Sequence, residues 1–169
     1  MVNGFERGVE AHIPALRRYA RALHGDADRA EDLLQDSLER ALSRPLLFVS
    51  SQNLRRWLFR IMRNVYLNSL RAANRRGRSI QLDDIHSPTV PPDQIPRLEV
   101  AETLAAFDAL SGECREALWL VVVEGFSYRE AGRVLGVPPG TVMSRVARAR
   151  EDLRVRCQHV PDGRLRIAR

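Results

Sequence analysis

The side chains best suited to chemistry in this sequence are guanidinium groups. Arg145, Arg148 and Arg150 follow a Gly-Val-Pro-Pro-Gly break at helical spacing. A second set of eight arginines runs from Arg55 to Arg78 with no acidic residue among them. Guanidinium is a permanent cation whose five donors form a rigid fork, so it grips phosphates and base edges and does not make or break bonds. The groups that do covalent work are present without the necessary pattern. His12, His24, His86 and His159 are scattered, as are Cys114 and Cys157, and their spacing suits neither a metal site nor a disulfide framework. No paired carboxylates and no phosphate-binding glycine loop occur. The expectation is a binding protein for a polyanion, with no catalytic residue, cofactor, metal or small-molecule substrate.

The distribution of charge is more informative than its total. Between Asp26 and Glu39 there are six acids against one arginine; from 79 to 124, nine acids against two; from 127 to 156, seven arginines against three acids. All 27 basic residues are arginine, and the formal net charge of +6 suits a polyanionic partner. No apolar run approaches the ~20 residues that span a bilayer. The first residues lack the charged-then-apolar pattern of a secretory signal. A cytoplasmic location without membrane association is therefore expected.

Positioning these groups falls to helices. Apolar residues at Val9, Ile13, Leu16, Tyr19, Ala20 and Leu23 follow the helical period. Asp26 or Asp28 can cap a second helix, whose inner face is Ala30, Leu33, Leu34, Leu38 and Ala41, until Arg44-Pro45 stops it. A long helix follows, with Leu54, Trp57, Leu58, Ile61, Met62, Val65 and Leu70 inward, fraying at 74–77. The stretch 79–97 carries four prolines and no period, as a linker would. Beyond it, 99–110, 113–124, 127–135 and 139–156 read as helices. No strand pattern persists. The fold class is all-α: two small helical domains, 1–78 and 98–156, joined by a flexible linker at 79–97 and followed by a tail at 157–169. A tether of this kind would leave the two modules in variable orientation.

The charged break between the last two helices has a specific grammar. Ser127 and Glu130 form a potential capping box. Ala131, Val134 and Leu135 face inward, and Gly136 suits a left-handed helix end. Pro139 fits the first turn of the next helix, where a missing N–H costs nothing. Val142, Val146 and Leu153 then point inward, with Ser144, Arg145, Arg148 and Arg150 on other faces. A short helix, a glycine turn and a polar, basic second helix make a helix-turn-helix, although two packed bundle helices with a solvated face share the pattern.

The run YREAGRVLGVPPGTVMSRVARAREDL resembles the region-four helix-turn-helix of extracytoplasmic-function (ECF) sigma factors. The resemblance rests on Tyr128, Glu130, Leu135, Gly136, Gly140-Thr141-Val142, Ser144-Arg145, Arg148-Ala149-Arg150 and Leu153. In the other module, DADRAEDLLQDSLERAL resembles the polymerase-binding helix of region two, and LRRWLFRIMRNVYLNSLRAANRR the promoter-melting helix after it. GFSYREA and the acidic linker look closest to general-stress-response members. The resemblance implies a promoter-specificity subunit. Asp32, Gln35, Asp36 and Glu39 would dock on core RNA polymerase. Arg55, Arg56, Arg60 and Arg63, with Asn53 in the preceding loop, would hold the minus-ten element of promoter DNA. Met143, Ser144, Ala147 and Arg148 would read the minus-thirty-five element, flanked by Arg145 and Arg150 on the backbone. An anti-sigma factor that clamps the modules together is a further implied partner.

Three departures stand out against the family pattern. Met143 replaces a basic residue, Gly132 an alanine, and Pro138 a capping residue, leaving backbone N–H groups there in need of another partner. The resemblance therefore admits a second reading, a sigma-like decoy that binds an anti-sigma factor without initiating transcription. An ordinary helix-turn-helix repressor is a third, but nothing in 1–78 suggests a ligand cavity. Trp57 could stack on a base, though its place beside Leu58 and Ile61 favours the core; Asn64, Tyr66 and Asn68 share that ambiguity.

Overall fold

The computed structural model describes residues 2–43, 53–75 and 105–157, and every regular element among them is helical. Six α-helices occur in order: α1 Val2–His24, α2 Ala27–Leu42, α3 Leu54–Arg75, α4 Gly112–Leu118, α5 Tyr128–Leu135 and α6 Pro139–Cys157, with a π-helical turn at Trp119–Val123 between α4 and α5. Residues 105–108 add a helical turn before α4.

Helices α1, α2 and α3 pack pairwise into a first module. Leu16, Leu23, Leu33, Leu34, Leu58 and Met62 close its core. Asp26 starts α2 by accepting the Arg29 N–H at 2.9 Å, satisfying one of the donors left over at a helix start. Asn53 does the same for α3, with its Oδ1 accepting the Arg56 N–H at 3.2 Å. In the second module α4 and α5 each pack on α6, burying Val134, Leu135, Val142 and Val146. The linker 79–97 and the tail beyond 157 lie outside the described residues, as does most of the loop before α3.

Two features depart from the sequence expectations. The stretch 113–124 is not one α-helix. After Leu118 the backbone widens to π geometry, and Glu124 N–H bonds to Trp119 C=O five residues back at 3.1 Å. Gly125 then takes φ +67°, a left-handed conformation that suits glycine, and turns Phe126 inward. The periodicity of WLVVV is that of any apolar helix, so nothing in its pattern marks the wider turn.

The modules are also not separate bodies. They share one apolar cluster, and α3 packs directly on α5. Phe59 explains why. It lies outside the inward set read from the sequence, yet it is completely buried, stacked on Tyr19 of α1 at 4.9 Å between ring centroids and edge-on to Phe126 of the second module at 5.1 Å. Helix α3 therefore has two apolar faces, the second of which is covered by the other module.

Candidate nucleic-acid interface

The helix-turn-helix forms as its grammar requires. The Ser127 hydroxyl accepts the Glu130 N–H at 3.2 Å, and Glu130 Oε2 accepts the Ser127 N–H at 3.0 Å, closing the capping box. These bonds to the charged form hold the Glu130 carboxyl below its ordinary value. Gly136 ends α5 at φ +67°, and its N–H returns to Gly132 C=O. Gly132 itself is set by space: a Cβ there would stand 2.7 Å from the Val137 carbonyl oxygen, so the tight turn requires its absence. Pro138 has no capping side chain, but its carbonyl accepts the Thr141 N–H at 3.0 Å in a tight turn as well as the Val142 N–H at 3.3 Å, so one of the donors at this helix start is satisfied by backbone.

Helix α6 then presents its outer face to solvent. Met143, Ser144, Ala147, Arg148 and Arg150 are exposed, while Val142, Val146 and Ala149 anchor the opposite face. Arg145 behaves differently. Its guanidinium donates to Glu113 Oε2 at 2.6 Å and retains only 12% of its side-chain exposure, so it ties α6 to α4. Arg129 and Arg133 on α5 are exposed as well, so both helices of the motif carry open positive charge; sequence reading counted these two without assigning them to the site.

The arginines of α3 divide in the same way. Arg60 is exposed and Arg56 half-buried. Arg55 and Arg63 are engaged by acids of the second module. Arg55 Nη2 donates to Glu124 Oε2 at 2.9 Å and also to its backbone carbonyl, while its guanidinium lies 4.4 Å from the Phe126 ring centroid. Arg18 of α1 completes the grip on Glu124 at 3.3 Å. The Glu124 side chain is fully buried; Arg18 and Arg55 both bond its Oε2, while its buried Oε1 has no hydrogen-bond partner among the described residues. A second pair lies further along α3: Glu116 Oε1 accepts from Arg63 Nε at 3.0 Å and from the Tyr19 hydroxyl at 2.6 Å. Burial, with Glu116 beside it, pushes the Tyr19 phenol well above its usual range, so it remains a donor. Glu116, Glu124 and Phe126 are the residues sequence reading missed. The acidic zone of 79–124 was the signal for the two glutamates, but nothing in it specified which arginines they face, and Phe126 lies beyond it.

The α2 set, Asp32, Gln35, Asp36 and Glu39, is exposed along one face, and Leu42, 47% exposed, continues it as an apolar end. Asn53 is exposed as well as capping. Trp57 meets Phe5 edge-on at 6.0 Å and packs on the core, and Tyr66 is buried against His24; Asn64 and Asn68 face solvent. Among the described residues no group of three or more His, Cys, Asp or Glu could hold a metal, and no helix is long and apolar enough to cross a membrane. The arrangement offers two basic helical surfaces, one open and one partly occupied by the protein's own carboxylates.

Comparison with known proteins places both modules. A family model described as the Sigma2 domain of PhyR matches residues 9–63, and one described as Sigma-70, region 4 matches residues 101–153. The ECF RNA polymerase sigma factor EcfG of Rhodopseudomonas palustris (strain TIE-1) is 43% identical over 147 residues, covering 86% of this chain and 80% of that protein. SigL of Mycobacterium tuberculosis (strain ATCC 25618 / H37Rv), also an ECF RNA polymerase sigma factor, is 33% identical over 157 residues, covering 89% and 87%. Among solved structures, the sigma factor RpoE in complex with the anti-sigma factor NepR from Bartonella quintana superposes with a TM-score of 0.79 at 34% identity, covering 94% of this chain and 99% of that one. The PhyRSL–NepR complex from Sphingomonas sp. Fr1 shares the fold, with a TM-score of 0.66 at 23% identity, covering 94% of this chain and 94% of that one.

Proposed function

Because the chain belongs to the extracytoplasmic-function sigma factors of bacterial RNA polymerase, we propose that it directs core polymerase to two-part promoters and helps to melt them. Sigma factors are transcription initiation factors, not enzymes. In this reading residues 1–78 bind core polymerase through Asp32, Gln35, Asp36 and Glu39 and hold the minus-ten element through Asn53, Arg55, Arg56, Arg60 and Arg63. Residues 98–156 read the minus-thirty-five element, and 79–97 connect the two. The observation that carries the proposal is the capped, glycine-turned pair α5–α6, whose second helix leaves Ser144, Ala147, Arg148 and Arg150 open. A helix so presented fits the major groove, with its early side chains at base edges and flanking arginines at phosphates.

The closed arrangement fits a resting state. Arg55 and Arg63 cannot reach phosphates while Glu124 and Glu116 hold them, so DNA binding by α3 requires the modules to separate. The RpoE and PhyRSL structures were both solved with NepR. An anti-sigma factor that stabilises the closed form is accordingly the proposed regulatory partner.

A decoy reading has one observation in its favour: the model matching the first module is named for PhyR, and an anti-anti-sigma factor of that name from Bartonella quintana, solved with NepR, shares the fold at 17% identity. The sigma reading is better supported, since EcfG and RpoE match at 43% and 34% identity. Run-off transcription with purified protein and core polymerase on genomic fragments decides between them. Initiation at a defined subset of start sites, dependent on this protein, is the expected result. Absence of binding to core polymerase would sink the sigma reading and leave the decoy.

A further inference from the structure

Resting on the promoter-reading proposal above, we infer that Met143 and Ala147 read thymine by its 5-methyl group in the minus-thirty-five element. Ser144 donates its hydroxyl hydrogen to Thr141 C=O at 2.9 Å, so it offers DNA only an acceptor. Arg145 is held by Glu113 and turned away from solvent. Before Arg148, then, these positions aim no side-chain donor outward. What they present is apolar: the Met143 side chain, 54% exposed and among the most exposed large hydrophobic residues described, and the exposed methyl of Ala147 one turn later.

Such a surface constrains the base opposite it. In the major groove guanine shows two acceptors, adenine an acceptor and a donor, and cytosine a donor, whereas thymine alone adds a methyl group. Pressing a thioether against a polar base edge strips water from N–H or C=O groups and leaves them unpaired, which costs free energy. Pressing it against a methyl removes apolar surface from water on both sides. The long, flexible methionine side chain can adjust to reach that methyl, and its sulfur is a weak acceptor that makes little demand of its own. Exposed apolar groups could instead dock a protein. Here they sit on the early turns of the second helix of a helix-turn-helix whose two helices also expose Arg133 on α5 and Arg148 and Arg150 on α6, and that positive charge fits a phosphate backbone. The four-residue step from Met143 to Ala147 rises about 6 Å along the helix, comparable to about two base steps, so the thymines they read lie about two base pairs apart.

The test uses holoenzyme and a promoter duplex identified by run-off mapping. Each thymine of the minus-thirty-five element is replaced singly by deoxyuridine, which keeps pairing and the O4 acceptor and loses only the methyl. The expected result is a loss of about fourfold in affinity at one or two positions, the effect of withdrawing one buried methyl-sized group. With Met143→Ala the same deoxyuridine substitution should have no further effect at the position Met143 touches. Because Met143 is exposed, the variant should keep the wild-type melting temperature, which separates loss of reading from loss of folding. An element without thymine, indifference of the wild type to every deoxyuridine, or equal losses in wild type and Met143→Ala would overturn this inference alone. Failure of the holoenzyme to select any promoter would instead overturn the sigma reading beneath it.

Discussion

Helices α3 and α6 carry similar arginine-rich surfaces, but the structure treats them in opposite ways. On α6, Arg148 and Arg150 stand open, Arg145 is tied to Glu113 of its own module, and Arg154 pairs with Glu151 one turn away on the same helix. On α3, Arg55 and Arg63 are tied across modules, to fully buried Glu124 and nearly buried Glu116, over an apolar floor of Phe59 and Phe126. The count of arginines on a helix thus does not set their availability. An exposed arginine pair with an acid is worth little and gives way readily to a phosphate. A pair in which the acid is wholly buried is different, because separating it must rehydrate both ions and uncover the aromatic floor together. In the proposed cycle α6 is ready to read DNA at once, whereas α3 becomes available only when the modules part.

The largest expected effect removes the floor. Phe126→Ala deletes the edge-on contact with Phe59 and the ring beneath Arg55, leaving a cavity that should cost about 3–5 kcal/mol in denaturant unfolding. A pair of dyes, one on each module, should report greater separation in the variant. If the dye distance is unchanged, the aromatic contact is not what closes the modules. Glu124→Gln is milder. It keeps the shape but removes the charge that binds Arg18 and Arg55, for a loss of about 1–3 kcal/mol once partial exposure of the arginines is allowed for. The same change should free Arg55 for DNA and strengthen binding to a single-stranded minus-ten oligonucleotide. Weaker or unchanged oligonucleotide binding would show that Glu124 does not compete with phosphate at Arg55.

How much of this could be read in advance differs between the two helices for the same reason. The α5–α6 motif is local: its capping box, left-handed Gly136 and inward Val142 and Val146 are all set by neighbours within a few residues, so sequence spacing specified them. The environment of α3 is not local. Phe59 pairs with Phe126, and Arg63 with Glu116, across separations of more than fifty residues, and no periodic pattern encodes such partners. Two apolar faces on one helix also blur the period that would reveal either. The π-helical turn escaped for a related reason, since its apolar run looks the same at either helical pitch. Gly132 shows the limit of propensity reasoning. Judged alone it is a weak helix residue, but the structure gives it a steric task. Gly132→Ala should therefore lose about 1 kcal/mol in denaturant unfolding, despite the gain in helix propensity, because its new Cβ meets backbone at Val137. The loss should fall on α5–α6 and leave the contacts of α3 intact. A stabilised variant would mean that the turn yields easily and that propensity governs the position.

The smallest effect distinguishes the modules by pH. Among the described residues both histidines, His12 and His24, lie on α1 in the first module. Burial lowers both below their ordinary value of 6.5, helped by Arg55 beside His12 and Arg29 near His24, against the opposing pull of Asp26 and Asp32 on His24. With folded-state values depressed, the unfolded chain binds the protons more readily. The stabilisation is complete above about pH 6.5 and declines as pH falls below it. The paired carboxylates act elsewhere on the scale: Glu31 and Glu130, held below 4.5 by their hydrogen bonds, lose their contribution only in stronger acid. Acidification from about pH 7.5 to about pH 5.5 should therefore lower the melting temperature mainly through α1. A proton on His12 would also place a second cation beside Arg55, weakening the engaged surface of α3 while leaving α6 unaffected. Melting curves of wild type, His12→Gln and His24→Gln across that range test this, with each variant expected to show a shallower slope. Parallel slopes in all three would assign the acid response to other groups and remove pH from the difference between the two helices.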